Sequence, residues 1–158
     1  MTDMDNAIKL IDTLLKHEEA IAAFYELLAE KLPRYAEFWG ELAKEERMHV
    51  RLVRTIEDEV ICQSISVDST KLSVQSVENS IQYVKEAHRL AVRSDMNMRT
   101  ALATALDLED SMVEKRVIEV FRANDEVVAE LLTKFSDTFI HHSKKISAEL
   151  RRIDVGAN

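Results

Sequence analysis

Chain breakers are scarce in this sequence. Two glycines and one proline among 158 residues leave few places for tight turns. That excludes the many-turned β architectures and favours long helices. The single cysteine, Cys62, excludes an internal disulfide and a Cys-x-x-Cys metal knuckle, and is expected to act as a small apolar filler. No run of about 20 apolar residues is present, so no bilayer span is expected. The opening Met-Thr-Asp-Met-Asp carries no apolar export core, which makes a cytoplasmic protein the expectation. Positive charge is short as well. Lysine and arginine number 21 against 29 aspartates and glutamates, and the net charge of −8 disfavours nucleic acid as a partner. What remains is 46% hydrophobic and 32% charged, enough apolar material for one domain over residues 1–158.

The apolar residues recur with helical spacing. A first helix is expected from Asp5 to Leu32, capped by Thr2, Asp3 or Asp5, with Ile8, Ile11, Leu14 or Leu15, Ile21 or Ala22, Tyr25, Leu28 and Leu32 on its inner face. Pro33 ends it or opens the next helix, from Arg34 to Glu59, so the two form an antiparallel hairpin. Residues 60–73 lose the period and are rich in β-branched and hydroxyl side chains, which suits an extended connection. A shorter helix, Val74 to Val92, completes a crossover running from Val60 to Asn97. Helix three is expected from Met98 to Arg122, with Leu102, Ala105 or Leu106, Met112 or Val113, Arg116 and Val120 inward. Helix four is expected from Asp125 to Ile153, followed by a frayed end. The fold class is therefore all-α, a four-helix up-down bundle with a long crossover between helices two and three.

Ionisable residues interrupt these apolar stripes. In helix two, Trp39, Leu42, Glu46, His49, Val53 and Ile56 follow one another at steps of three or four, so Glu46 and His49 lie on the inner face. Glu18 occupies a stripe position in helix one, Glu109 in helix three and His142 in helix four. A carboxylate turned into a core is costly unless a partner meets it, and a metal ion is one such partner. Carboxylates are hard oxygen donors that bridge cations, and imidazole adds a neutral nitrogen donor suited to iron. The spacing of Glu18 to Glu46 and His49 resembles that of Glu109 to Phe139 and His142, a degenerate internal repeat that predicts approximate two-fold symmetry. His17, His88, His141, Glu19 and Glu45 are expected on solvated faces.

Four segments resemble the rubrerythrin-like branch of the ferritin-like superfamily. His17-Glu-Glu-Ala-Ile-Ala-Ala-Phe-Tyr25 is similar to its first-helix motif, a ligand glutamate followed seven residues later by a tyrosine. Glu46-Arg-Met-His49 is similar to the second-helix Glu-x-x-His. Ala105-Leu-Asp-Leu-Glu109 resembles the third-helix ligand segment, and His142 falls on the histidine of the fourth. The resemblance spans residues 8–153. It implies Glu18, Glu46, His49, Glu109 and His142 as metal ligands, one or two iron ions or another divalent metal as cofactor, and Tyr25 as the candidate catalytic side chain, its hydroxyl bonded to a ligand carboxylate. It further implies an oxidoreductase acting on peroxide or dioxygen, or oxidising ferrous iron, with an external electron donor.

The fourth helix departs from the family pattern. Glu-x-x-His is expected there, and this chain has Phe139-Ile-His-His142. One carboxylate is lost, and Arg116 replaces a tyrosine seven residues after Glu109. Three arrangements follow. One is an incomplete di-metal site. Another is a single ion on Glu18, Glu46 and His49. The third is a metal-free bundle in which Arg116 reaches inward to Glu109, leaving a dimerisation or interaction module. Phe24, Trp39, Met48, Val50 and Leu52 exceed what one stripe buries, so a homodimer is expected unless the crossover covers them.

Overall fold

The computed structural model describes residues 2–156, the side chain of Met112 excepted. The chain is predominantly helical. Helix α1 (Asp3–Lys31) opens on a capping box: Thr2 Oγ1 accepts from the Asp5 amide, and the Thr2 amide donates to the Asp5 carboxylate. Pro33–Tyr35 forms one 3-10 turn with proline at its first position, and α2 (Ala36–Ile61) follows directly. The end of α2 is tied off by Gln63, with φ 63, the one non-glycine residue of positive φ among the described residues. The amide of Gln63 donates to the Val60 carbonyl and that of Ser64 to Glu59, so orphan carbonyls of the last turn are paired although no glycine is present. Cys62 caps this end and is exposed, so it is not the apolar filler expected.

The connection holds a short strand, β1 (Ile65–Val67), then α3 (Val74–Arg93), capped by Ser73. Helix α4 (Met98–Glu109) starts on the Asn97 cap. A continuous third helix to Arg122 was the expectation, and here the chain departs from it. The helix stops at Asp110, and Ser111 caps a new one, α5 (Met112–Val120). Its last expected turn is instead strand β2 (Phe121–Ala123), paired antiparallel with β1 in the register Ile65 to Ala123. Helix α6 (Glu126–Gly156) continues through residues 154–156, where fraying was expected; Ala157 and Asn158 lie outside the described residues.

Contacts between helices fix their directions. Glu26 meets Arg47, and Glu19 meets Arg54, so α1 and α2 are antiparallel. Lys145 reaches Glu41, while Phe139 stacks on His49, so α6 opposes α2. Arg99 pairs with Asp154, and Asp110 accepts from Ser143, so α6 also opposes α4. His17 meets Ser80, and Lys31 donates to the Val92 carbonyl, so the crossover helix α3 runs parallel to α1 and lies along it.

Most of the apolar excess is buried within the chain: Phe24, Trp39 and Val50 are buried, Leu52 is half-buried, and Met48 is exposed. The core itself is divided. One apolar cluster takes residues 7–15 of α1, 50–60 of α2, 113–120 of α5 and 128–139 of α6. The other takes residues 21–28, 39–43, 98–108 and Ile146. The layer between them is where the ionisable side chains enter. Among the described residues, no helix is long and apolar enough to cross a membrane.

Candidate metal centre

Between the two apolar clusters four carboxylates and three imidazoles are buried: Glu18, Glu46, Glu109, Glu114, His17, His49 and His142, none more than 6% exposed. The five ligand candidates of the sequence form one run of contacts. Glu18 Oε2 lies 3.3 Å from His49 Nδ1, and Nδ1 lies 2.9 Å from Glu46 Oε2. Glu46 Oε1 lies 2.6 Å from His142 Nδ1, which stands 3.7 Å from Glu109 Oε1. Tyr25, the suggested catalytic side chain, donates its hydroxyl proton to Glu109 Oε1 at 2.5 Å. Phe139, at the position where a carboxylate was expected, stacks on His49, with centroids 4.1 Å apart and planes 8° from parallel.

Arg116 does not join this layer. It is exposed, and Nη1 donates to the Lys71 carbonyl at 3.2 Å. Val113, Val117 and Val120 take the inward positions of α5, which leaves position 116 on the outside. The Met112 side chain, the other inward candidate, lies outside the described residues.

Three side chains at the site were not expected there. His17 was assigned to solvent, yet it is fully buried because α3 covers that side of α1; its Nε2 meets Ser80 Oγ at 2.8 Å. Its Nδ1 lies 3.3 Å from both Glu18 Oε1 and Glu114 Oε1. Glu114 enters because α5 begins afresh at Ser111. The spacing Ser111-x-x-Glu114 is the one signal in the sequence that marks a helix start there. Ser111 Oγ accepts from the Glu114 amide at 3.4 Å, while the Glu114 side chain turns inward. Glu45 was also assigned to solvent. It remains part-exposed, but its Oε2 lies 2.7 Å from His142 Nε2. Of the remaining solvated assignments, His141 is exposed and His88 half-buried.

Charge at the site follows from these contacts. Burial opposes the charge on Glu18, but the imidazoles of His17 and His49 outweigh it and hold the carboxyl well below its usual range. Burial also opposes protonation of His49, yet Glu18 and Glu46 push it up to about 9. His142, against Glu109, Glu45 and Glu46, is pushed up to about 12 in spite of burial. Burial raises Glu109, reinforced by the Glu46 charge, and raises Glu114 further, reinforced by Glu18. The Tyr25 phenol is raised by burial and by Glu109, so it stays a donor.

These shifts set a pH dependence for the metal-free protein. A histidine raised from 6.5 contributes stability fully present below pH 6.5 and lost as pH rises through its folded value, about 9 for His49. Glu109 and Glu114 act in the same sense, since ionisation above the ordinary value of 4.5 is opposed in the fold. Glu18 acts in the opposite sense, and its contribution is lost as pH falls below 4.5. With chelator present, the melting temperature should therefore peak between 4.5 and 6.5 and decline toward pH 9. His49 alone accounts for a loss on the order of 3 kcal/mol. Thermal melts across that range measure it, and a flat profile to pH 9 would contradict these protonation states.

The donor set suits a divalent first-row metal. Among the described residues, the buried side-chain nitrogens and oxygens that make no well-formed hydrogen bond are Glu18 Oε2, His49 Nε2, Glu114 Oε1 and His142 Nδ1, all from this layer, although all but His49 Nε2 stand within 3.3 Å of an ionisable neighbour. Native interiors rarely leave such atoms without a well-formed hydrogen bond, and a cation satisfies lone pairs that the neighbouring donors meet poorly. Ligand atoms of Glu46, His49 and His142 lie within 4.8 Å of one another, as do those of His17, Glu18 and Glu114. In its neutral form His142 can donate Nε2–H to Glu45 and present Nδ1 inward, the second-sphere arrangement common to metal-bound histidines. No family model, no curated protein and no solved structure matches the chain.

Proposed function

We propose that this protein is a non-haem iron protein of the ferritin-like, rubrerythrin-like kind, reducing peroxide or dioxygen or oxidising ferrous iron. One observation carries the reading: among the described residues, the buried side-chain polar atoms that make no well-formed hydrogen bond all belong to a single carboxylate–imidazole layer between two apolar clusters. Iron held there would supply the electrons that reduce the oxidant. Glu46, His49 and His142 are the side chains placed to hold it, with Glu18 and Glu109 beside them. Glu45 orients His142 from the part-exposed edge of the site. The Tyr25 hydroxyl fixes one oxygen of Glu109 and keeps a proton next to that carboxylate. The apolar clusters exclude water on both sides, which strengthens each electrostatic contact within the layer. An external electron donor and a second copy of the chain belong to the same proposal.

Anaerobic titration with ferrous iron tests this, followed by mixing with peroxide or with dioxygen and recording ferric absorbance. The expected result is stoichiometric binding and oxidation faster than that of free ferrous iron, both abolished by Glu46→Ala. Substoichiometric iron unchanged by Glu46→Ala would end the metal reading and leave a metal-free helical interaction module. Phe139, stacked over His49 where a ligand was expected, is the feature that favours that second reading.

A further inference from the structure

We infer that the break between α4 and α5 creates a second metal position, held by His17, Glu18 and Glu114, with Glu18 bridging it to the position held by Glu46, His49 and His142; this rests on the metal reading above. Glu109 and Glu114 are five residues apart, and on an unbroken helix their side chains would diverge by about 140°. They nevertheless share one buried layer, because the chain stops at Asp110 and restarts from the Ser111 cap. The departure from a straight helix thus delivers a fourth carboxylate to a site that lost one on α6 to Phe139.

The geometry around that carboxylate is that of a ligand group. Glu114 Oε1 and Glu18 Oε1 each lie 3.3 Å from His17 Nδ1, and the ligand atoms of the three residues fall within 4.8 Å of one another. Glu114 Oε1 is buried and makes no well-formed hydrogen bond, its contact with His17 Nδ1 at 3.3 Å included. His17 is anchored from the opposite ring nitrogen by Ser80 on α3, which aims Nδ1 into the group. Glu18 faces both ways, with Oε1 toward His17 and Oε2 toward His49. A single carboxylate spanning two such groups is placed to bridge two cations.

Charge balance points to the same number. Glu18, Glu46, Glu109 and Glu114 are the carboxylates buried here, and His17, His49 and His142 are neutral when they bind metal. Four negative charges in an apolar layer are matched by two divalent cations and are left half uncompensated by one. The mixed oxygen and imidazole donors favour iron, manganese, cobalt or zinc over magnesium or calcium.

Cobalt(II) alone, added anaerobically to the full chain and followed by dialysis, metal analysis and visible absorption, tests the assignment without turnover. The wild-type protein should retain two cobalt ions per chain. Glu114→Gln, which keeps shape and polarity, should retain one, and His17→Gln should do the same, each with a helical circular-dichroism spectrum unchanged from wild type. Two ions in wild type that persist in both variants would overturn the assignment. So would a single ion in wild type that is lost only in Glu46→Ala, an outcome that leaves the iron reading standing. No retained cobalt in any form would overturn the assignment together with the iron reading on which it rests.

Discussion

Phe139→Glu is expected to cost the chelated protein roughly 10 °C or more in melting temperature and to recover much of that loss when a divalent metal is added. The ring is buried, lies flat on His49 and meets Phe135 edge-on with centroids 4.6 Å apart. Removing a packed aromatic side chain destabilises by about 3–5 kcal/mol. The incoming carboxyl adds a desolvation penalty while it lacks a partner. Four glutamates are already buried in the layer, so without metal a fifth worsens the repulsion. With metal the sign reverses, because the new oxygen stands beside His49, where the sixth ligand was expected. Metal at about a thousand times its dissociation constant returns about 4 kcal/mol. Melts with chelator and with excess cobalt(II) measure both halves. An equal deficit under the two conditions would mean that position 139 does not face the ion.

The sequence made some of this legible and hid the rest for identifiable reasons. Helical stripes carried the placement of Glu18, Glu46, His49, Glu109 and His142, because steps of three and four leave little freedom in which face is buried. The crossover helix was readable as well, from Val77, Ile81 and Val84 and the loss of period before Ser73. What the crossover does was not. It lies along α1 and gives that helix a second buried side, where Thr13, His17 and Phe24 sit. A histidine next to Lys16 and Glu18 carries no mark of that burial.

The break at Asp110–Ser111 was harder. No glycine or proline marks it, and the apolar period runs on through Val113, Val117 and Val120, so a straight helix fitted equally well. Only the Ser-x-x-Glu spacing pointed to a new start. The same ambiguity allowed Arg116 to be read as inward, when Val117 takes that place. The pairing of β1 with β2 was likewise hidden, since β-branched residues announce an extended segment without naming its partner.

Glu46→Ala should have the largest effect on the site, in both metal-free and metal-loaded protein. Its two oxygens serve two imidazoles, Oε2 at 2.9 Å from His49 Nδ1 and Oε1 at 2.6 Å from His142 Nδ1. No other carboxylate touches both so closely. Without metal, its removal takes the shortest contact from each of two buried imidazoliums, leaving His49 with Glu18 and His142 with Glu45 and Glu109, and breaking a buried pair from one side costs up to about 3–5 kcal/mol. The alkaline decline should shrink as well. Glu46 is among the groups that hold His49 at about 9 and His142 at about 12, so in its absence both fall and less protonation-linked stability is left to lose. The variant should therefore melt lowest near pH 6 relative to wild type, and the gap should narrow toward pH 9. With metal, wild type gains the stability of ligand binding while the variant gains little, because the group of Glu46, His49 and His142 has lost its carboxylate. A uniform destabilisation, the same at every pH and with or without metal, would reduce Glu46 to a packing residue. Its two imidazole contacts, both to buried rings, argue against so plain a role.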